Sequence, residues 1–192
     1  MTIIEPHIHM LSRTTDEYQA MYQAGIRACV EPSFWLGTNR RYAGSFFDYF
    51  RLILEFETVR AARFGIDHFC AIAMNPKEAD DRALADEVID GLAPYLDHPR
   101  CVAMGEIGLN AITPNEEYAL IRQLRLAEER RMPVILHLPH VDKLRGTLRI
   151  LDIIRAEGFT VGRIDVDHNT EETIKHTLDS GCYAGMTVYP YS

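Results

Sequence analysis

Short apolar runs recur along the chain, and helical patterns fill nearly all of the gaps between them. The runs are rich in valine, isoleucine and small apolar residues, and they lie at residues 2–9, 27–32, 68–75, 100–107, 133–137, 163–168 and 182–188. Amphipathic stretches typical of helices lie at 16–24, 83–96, 116–129, 144–156 and 171–179. Because strands that alternate with helices usually pair in parallel, the pattern predicts an α/β fold built on a parallel sheet.

One connection stands apart from the others. Residues 33–67 form a link far longer than the ~2–6 residues usual for loops in α/β units, even after an apparent helix at 45–64 is subtracted. If this segment were a lid, its aromatic side chains would wall a substrate pocket; the alternative is that they pack a helix on the exterior of a barrel. These aromatic residues are Phe34, Trp35, Tyr42, Phe46, Phe47, Tyr49 and Phe50.

The composition is that of one globular domain. Of the 192 residues, 47% are hydrophobic and 25% are charged, so we expect residues 1–192 to form a single domain. Acidic residues number 28 against 20 basic ones, which gives a formal net charge of -8. A negative surface repels phosphate backbones, so nucleic acid is a disfavoured partner and a small molecule is favoured.

The sequence gives no sign of export or of a membrane span. Its first ten residues lack a basic stretch followed by an apolar run. No uncharged stretch approaches the ~18 apolar residues of a spanning helix. The cysteines lie in or beside apolar runs without the paired spacing of a zinc site, so we expect buried thiols in a reducing cytoplasm. They are Cys29, Cys70, Cys101 and Cys182.

Residues with metal-binding side chains stand at or just past the ends of the predicted strands. They are His7, His9, Glu106, His137 and His168. In parallel α/β barrels the carboxyl ends of the strands form the rim where active sites lie. We therefore predict a barrel of parallel strands, of which the pattern shows seven, with a site at that rim.

The chemistry of these residues indicates a divalent metal. His7 and His9 are two residues apart, so both imidazoles point to the same side of a strand. Glu106 stands inside an apolar strand, where a carboxylate must be paired, hydrogen-bonded or bound to metal. Four imidazoles and a carboxylate suit zinc, manganese or nickel, and we expect one or two ions.

Three further residues are candidates for contact with a substrate. Glu31 ends the second predicted strand and would contact substrate or shuttle a proton; the alternative is a carboxylate satisfied by neighbouring backbone. Trp35 belongs to the long connection and would wall the pocket if that segment were a lid. His140 follows His137 by three residues, and a role at the surface of the loop is the alternative to substrate contact.

The strand-end motifs resemble those of TatD-like metal-dependent hydrolases of the amidohydrolase superfamily. The matching segments are, in order, His7-Ile8-His9, Gly105-Glu106-Ile107-Gly108-Leu109, His137, His168 and Tyr183-Ala184-Gly185-Met186-Thr187-Val188. The resemblance implies that His7, His9 and Glu106 bind one metal, and that Glu106 bridges to a second metal bound by His137 and His168. We expect Glu106 and His137 to act in catalysis.

The resemblance also implies a TIM (β/α)8-type barrel, of which about seven strands are present in this chain and the eighth strand is missing. In the family this strand closes the barrel and carries an aspartate that binds metal and serves as general base. No eighth strand follows the seventh before Ser192. We therefore expect the sequence to be incomplete at its C-terminal end; the alternative is a truncated homologue that lacks this aspartate.

The function expected from these observations is hydrolysis by a metal-activated water. The bond is an ester, amide, lactone or phosphoester of a small molecule. One alternative is a TatD-type deoxyribonuclease, although only Asn39-Arg40-Arg41 is basic among the predicted rim loops. A second alternative is a non-catalytic barrel that binds metal and a metabolite. The sequence leaves the substrate and the oligomeric state open.

Overall fold

Seven parallel strands form one curled sheet in the computed structural model, which describes residues 1–187. The strands pair in chain order, each with its neighbours in the sequence, as in a TIM-type barrel. The predicted α/β fold with about seven barrel strands is therefore confirmed. The strands are β1 (Ile3–Glu5), β2 (Ile26–Pro32), β3 (Asp67–Ala71), β4 (Cys101–Gly108), β5 (Val134–His137), β6 (Ile164–Asp167) and β7 (Tyr183–Ala184).

Helices occupy the connections between the strands. They are α1 (Thr15–Ala24), α2 (Ala43–Arg51), α3 (Thr58–Ala62), α4 (Arg82–Asp90), α5 (Ala93–Leu96), α6 (Pro114–Arg130), α7 (Lys143–Glu157) and α8 (Ile174–Asp179). A π-helical segment, Leu52–Glu57, joins α2 to α3 without a break, and 3-10 turns lie at Pro76–Glu78 and Val161–Arg163. No helix within residues 1–187 has the length and apolar character needed to cross a membrane.

Several predicted elements differ from the observed ones, among them the strand predicted at 68–75, which ends at Ala71 as β3. Strand β1 ends at Glu5, earlier than residue 9, although the Ile8 amide still donates to the Val30 carbonyl at 3.1 Å. The helix predicted at 83–96 is divided between α4 and α5, because Pro94 has no amide hydrogen to continue the helical bonds. The predicted seventh strand, 182–188, is shortened to β7, and its last residue, Val188, lies outside the described residues.

The long connection, residues 33–67, divides into two parts with different surroundings. Phe46, Tyr49 and Phe50 on α2 are buried in the main hydrophobic core. For these residues the alternative interpretation holds, in which the aromatic side chains pack a helix on the exterior of the barrel. Phe34 and Trp35 precede that helix and lie at the carboxyl rim, beside His9 and His137. A lid role for the segment stays a prediction, and it concerns only this rim portion.

The concave face of the sheet is lined by small apolar residues. Ala71, Ala103 and Ile135 form a separate buried cluster there. A groove of about 620 Å³ runs along this face. Within the described residues β1 pairs only with β2 and β7 only with β6, and a cleft of about 500 Å³ lies between these two edges. The sheet therefore has the form of a curled half-barrel.

Gly108 sets the distance between β4 and β5. It pairs with His137 across the two strands, and its φ of +150° is one that other residues rarely adopt. A Cβ atom at this position would lie 2.2 Å from the His137 carbonyl oxygen. The close approach places the strand that carries Glu106 against the strand that ends in His137.

Replacement of Gly108 by alanine should therefore lower the free energy of unfolding. We expect a loss of about 2–4 kcal/mol, because overpacking and a strained backbone each cost ~1–3 kcal/mol. Gly44, on α2, is the control: nothing lies within 4 Å of a Cβ built there. Gly44→Ala should leave stability unchanged or raise it by up to ~1 kcal/mol. Urea denaturation measures both; equal stability of the two variants would contradict this account of the β4–β5 contact.

Candidate metal centre

Side chains from four strands meet at the carboxyl rim of the sheet. His7, Glu106 and His168 place ligand atoms within 4.8 Å of one another, as a single ion requires. His137 joins them, with Nδ1 3.8 Å from Oε1 of Glu106. His9 lies beside His7, with the two ring centroids 5.3 Å apart. The structure thus brings all five sequence-predicted ligands to one place.

The carboxylate of Glu106 is the centre of this group. It is only 3% exposed, and its Oε1 lies 2.9 Å from Nε2 of His7 and 3.6 Å from Nε2 of His168. Its other oxygen, Oε2, accepts a hydrogen bond of 3.0 Å from Nδ2 of Asn75. Burial alone would raise the pKa of Glu106, but His137, His168 and His7 lower it well below its ordinary value. The group is therefore an ionised carboxylate.

His7 lies between two carboxylates. Its Nε2 faces Glu106 and its Nδ1 contacts the carboxylate of Asp167. Burial opposes the charge on the imidazole, yet Asp167 and Glu106 raise the pKa of His7 to about 10. Without metal the ring is thus an imidazolium. A divalent cation would replace its proton, as metals generally do at histidine ligands.

His9 has the opposite environment. Its ring stacks on Phe34, with 3.8 Å between centroids, and burial lowers the pKa of His9 to about 4. The ring is therefore neutral at pH 7, which is the protonation state of a metal ligand. His9 is not one of the three residues whose ligand atoms lie within 4.8 Å of one another. The division into two metal sites implied by the family resemblance stays a prediction.

Unsatisfied nitrogen atoms show that the site fits a metal ion. Nδ1 of His9 and both ring nitrogens of His137 are buried and have no hydrogen-bond partner within the described residues. Buried polar atoms are nearly always paired, because an unpaired one costs ~1–3 kcal/mol. Imidazole nitrogens beside an ionised carboxylate are the donors that borderline divalent ions prefer. A cation bound here would satisfy them.

The backbone of His168 is held in an uncommon conformation. Its φ is 65°, in the left-handed region, directly after β6 ends. The amide of His168 donates to Oδ1 of Asp167 at 2.6 Å, and its ring contacts the hydroxyl of Thr187. Such backbone strain persists where surrounding contacts fix it, and it is concentrated at functional sites.

Two residues of the centre were missed in the sequence. Asn75 holds Glu106, and Asp167 contacts His7 while bonding the His168 amide. Both had a signal, since each is a polar residue at the end of a predicted strand. The sequence prediction assigned ligand roles only to histidines and one glutamate at those ends. Residues that orient ligands are often amides and carboxylates that need not touch the ion.

Glu31 is placed away from this group. It is fully buried, and its Oε1 accepts hydrogen bonds from the amides of Met10 (2.7 Å) and Leu11 (2.9 Å). Its Oε2 lies 2.9 Å from Nε2 of His68, which is also fully buried. These contacts agree with the alternative interpretation of Glu31, a carboxylate whose hydrogen bonds are satisfied by neighbouring backbone groups. Glu31 fixes the turn that follows His9. It does not line the smaller cleft that borders Glu106 and His137.

That cleft has a volume of about 220 Å³ and contains the other two candidate substrate contacts. Trp35 and His140 both line it, together with Lys77, which was not singled out in the sequence. The ring of His140 lies 5.5 Å from that of His137. Both candidates thus lie beside the metal ligands, and contact with a substrate stays a prediction for each.

A curled parallel sheet with imidazoles and a carboxylate at its carboxyl rim defines the class of metal-dependent hydrolases built on TIM-type barrels. The particular family follows from comparison of the sequence. The family described as TatD related DNase matches residues 4–191, and the chain belongs to this family. It is therefore an enzyme, a metal-dependent hydrolase, and its family implies a divalent metal.

Three relatives illustrate the similarity. An uncharacterized metal-dependent hydrolase of Methanocaldococcus jannaschii is 27% identical over 98% of this chain and 73% of its own length. The uncharacterized metal-dependent hydrolase TatD of Mycobacterium tuberculosis is 30% identical over 52% of this chain and 39% of its own. The crystal structure of a TatD-like protein from Archaeoglobus fulgidus has a TM-score of 0.85 and 27% identity, covering 96% of this chain and 76% of that one.

Replacing Glu31 by alanine should destabilise the fold strongly. The change leaves His68 and the amides of Met10 and Leu11 buried without their partner, at ~1–3 kcal/mol for each unpaired group. We expect the free energy of unfolding to fall by at least about 3 kcal/mol.

Glu129→Ala is the control for this variant. Glu129 is exposed on α6 and forms no ion pair within residues 1–187, so the change should lie within ~0.5 kcal/mol of the parent. Chemical denaturation compares the two variants. A Glu31 variant as stable as the control would show that the buried carboxylate does not hold the turn after His9.

Proposed function

We propose that the chain hydrolyses an ester, amide, lactone or phosphoester bond of a small molecule with the help of one or two divalent metal ions. The proposed ligands are His7, His9, Glu106, His137 and His168. The observation that carries the proposal is the convergence of three imidazoles on Oε1 of Glu106, beside ring nitrogens that lack any partner. Zinc, manganese and nickel are the ions that this donor set favours.

A divalent ion supplies a water of lowered pKa and polarises the bond to be cleaved. The protein residues prepare its surroundings. Asn75 holds Oε2 of Glu106, so that Oε1 is directed at the imidazoles. Asp167 fixes the orientation of the His7 ring. We assign direct roles in catalysis to Glu106 and His137, which lie deepest among the ligands and border the cleft.

Shielding of the site from solvent is assigned to the rim portion of the long connection. Phe34 covers one face of the His9 ring, and Trp35 forms the wall next to it. Aromatic side chains over a metal site exclude water and so strengthen electrostatic interactions inside it. This is the part of residues 33–67 to which we assign the lid role, with α2 serving as its fixed base.

Hydrolysis of DNA is the alternative that the family description suggests. Among the arginines of the predicted rim loops, Arg13 and Arg40 are paired with carboxylates, whereas Arg41 is exposed and has no ion-pair partner among residues 1–187. Arg40 is paired with buried Glu78, with Nε 3.0 Å from Oε1, and Arg13 is paired with Glu17 at 3.1 Å. A nuclease needs free cations along a groove to neutralise successive phosphates. The described part of the rim has only a few unpaired cations, which do not form such a groove, and together with the net charge of -8 this favours a compact substrate.

We place the enzyme in the reducing cytoplasm. Cys29, Cys70 and Cys182 are buried as expected, whereas Cys101 is half-buried; all four are free thiols, and burial raises the pKa of each of them. Protonated, buried thiols are inert, and a chain with unpaired cysteines suits a compartment in which thiols stay reduced.

Replacing Glu106 by glutamine should reduce metal binding, because the change removes the negative charge on which the imidazoles converge. We expect the affinity for Zn²⁺ and Mn²⁺ to fall by at least about tenfold, the loss seen when even an outer contact of a metal site is removed. Elemental analysis after dialysis against each ion measures the bound metal.

The matched control is Glu129→Gln, the same chemical change at an exposed position of α6. It should retain the full metal content of the parent. Circular dichroism should confirm that both variants are folded. Unchanged metal content in the Glu106 variant would exclude it as a ligand.

The choice of substrate is tested with the metal-loaded chain on a panel of phosphoesters, amides and lactones, and on DNA at near-physiological salt. We expect turnover of a small substrate that is lost in His137→Ala, and no degradation of DNA. Degradation of DNA that is lost in His137→Ala would establish the nuclease instead. Full metal content with no turnover of any substrate would favour a metal-binding barrel without activity.

A further inference from the structure

The lysines of this chain are unevenly placed. The sequence contains only Lys77, Lys143 and Lys175, against 17 arginines. Lys175 lies on α8, exposed, with its Nζ 2.6 Å from the carboxylate of Asp179. Lys77 lines the metal cleft, and Lys143 lies beside the cleft residue His168. This distribution points to a specific use for the two lysines at the rim.

Lys77 is held in place without a countercharge. Its Nζ lies 4.4 Å from the centroid of the Trp35 ring, and Nε1 of Trp35 donates a 2.8 Å hydrogen bond to Asn39. Lys77 lines the cleft with Glu106 and His137. No carboxylate within residues 1–187 comes within ion-pair distance of it, although Glu78 is the next residue, because Glu78 is paired with Arg40.

Lys143 borders the same region from the first turn of α7. Its Nζ donates a hydrogen bond of 2.9 Å to the backbone carbonyl of His168. Among the described residues it too lacks an ion-pair partner within 4.0 Å. Between the two lysines lies His140, whose exposed ring is 5.5 Å from His137 and 6.4 Å from His168. We call Lys77, His140 and Lys143 the basic rim.

Unpaired cations are costly to keep next to other positive groups. Most arginines of the chain are paired with carboxylates, which is the usual arrangement for a surface of mixed charge. A cation–π contact such as that of Lys77 with Trp35 contributes only ~0.5–1 kcal/mol at an exposed site. It orients the ammonium group but leaves its hydrogen-bond donors free. Those donors are available to an anion entering the cleft.

We propose that the basic rim binds an anionic group of the substrate, a terminal phosphate or carboxylate. This inference rests on the proposed function, which specifies the kinds of bond that are hydrolysed. It adds that the molecule containing this bond is anionic. The ammonium groups of Lys77 and Lys143 can neutralise one compact anion, and the imidazole of His140 between them can add a hydrogen bond. They do not continue along the surface, so they do not form the extended track that a nucleic-acid strand requires.

Trp35 provides a direct reporter of anion binding, because it is the only tryptophan in the sequence. Titration with inorganic phosphate and methyl phosphate should change its fluorescence in a saturable manner. Calorimetry on the same samples gives an independent dissociation constant. Each titration is made on metal-loaded protein and on protein treated with a chelator, so that anion binding is measured apart from metal binding.

Replacing Lys77 by glutamine should weaken phosphate binding at least about tenfold, the effect of losing one charged contact. Lys77→Arg keeps the charge and should retain most of the affinity. The control is Lys175→Gln, which removes the same charge on α8 and should bind phosphate like the parent. Circular dichroism confirms that each variant is folded.

Equal phosphate affinity in Lys77→Gln and Lys175→Gln would overturn the proposal. So would tighter binding of a thymidine oligonucleotide without terminal phosphate than of methyl phosphate, which would assign the rim to nucleic acid. The test is separate from that of the metal centre. Retention of metal by the Glu106 variant would refute the proposed metal ligation without affecting the phosphate result, and loss of the Lys77 effect would refute the basic rim without affecting the metal result.

Discussion

The buried negative charge of Glu106 is the constraint on which the site depends. A carboxylate withdrawn from water is penalised by several kcal/mol unless neighbours compensate it. The compensation comes from every side: His7 follows β1, Asn75 follows β3, His137 ends β5 and His168 follows β6. Because the contacts come from separate strands, the charge is stable only when those strands stand in the observed order.

Strand order alone does not bring the ligands into contact, since each must also stand at the right height. Gly108 lets β4 approach β5 at the level of His137, two residues beyond Glu106. On the other side, the buried carboxylate of Glu31 binds the amides of the turn that follows His9. Neither residue touches the cleft, yet both determine the positions of residues that do. The second case explains why a strand-end carboxylate can have a purely structural use in this fold.

The location of the site could be predicted because it follows from the chain pattern. Metal-binding residues at the ends of apolar runs share a rim in any parallel sheet, and this principle found all five residues that now converge. It could not supply Asn75 or Asp167, since amides and aspartates at strand ends are common and their partners come from other strands. It also left two interpretations of Glu31 open, contact with substrate and hydrogen bonding to backbone, which differ only in the direction of the side chain. That direction is fixed by His68, thirty-seven residues away.

The end of β1 and the roles of the aromatic residues at 33–67 could not be predicted for a similar reason. The alternation that predicts a strand continues through His7 and His9, but β1 ends at Glu5. Sequence periodicity indicates which side a residue faces. The alternation continues after the backbone leaves the sheet, so it does not mark where the strand ends. The aromatic residues at 33–67 posed the converse problem, because core packing and a pocket wall use the same side chains. In the structure, the buried aromatic residues on α2 pack in the core, whereas Phe34 and Trp35, which precede α2, line the cleft.

The net charge of the chain and the two lysines beside its cleft have opposite signs, and we propose that this difference favours a small anionic substrate. A net charge of -8 lowers the concentration of long polyanions near the surface. Lys77 and Lys143, free of carboxylate partners within residues 1–187, act only over the few ångströms that solvent screening allows them. A small anion can enter their range while its remaining surface avoids the acidic exterior, and a long strand cannot. The family description, TatD related DNase, names one chemistry of the family, and the distribution of charge around the cleft is the observation on which we base the proposal of a small anionic substrate for this chain.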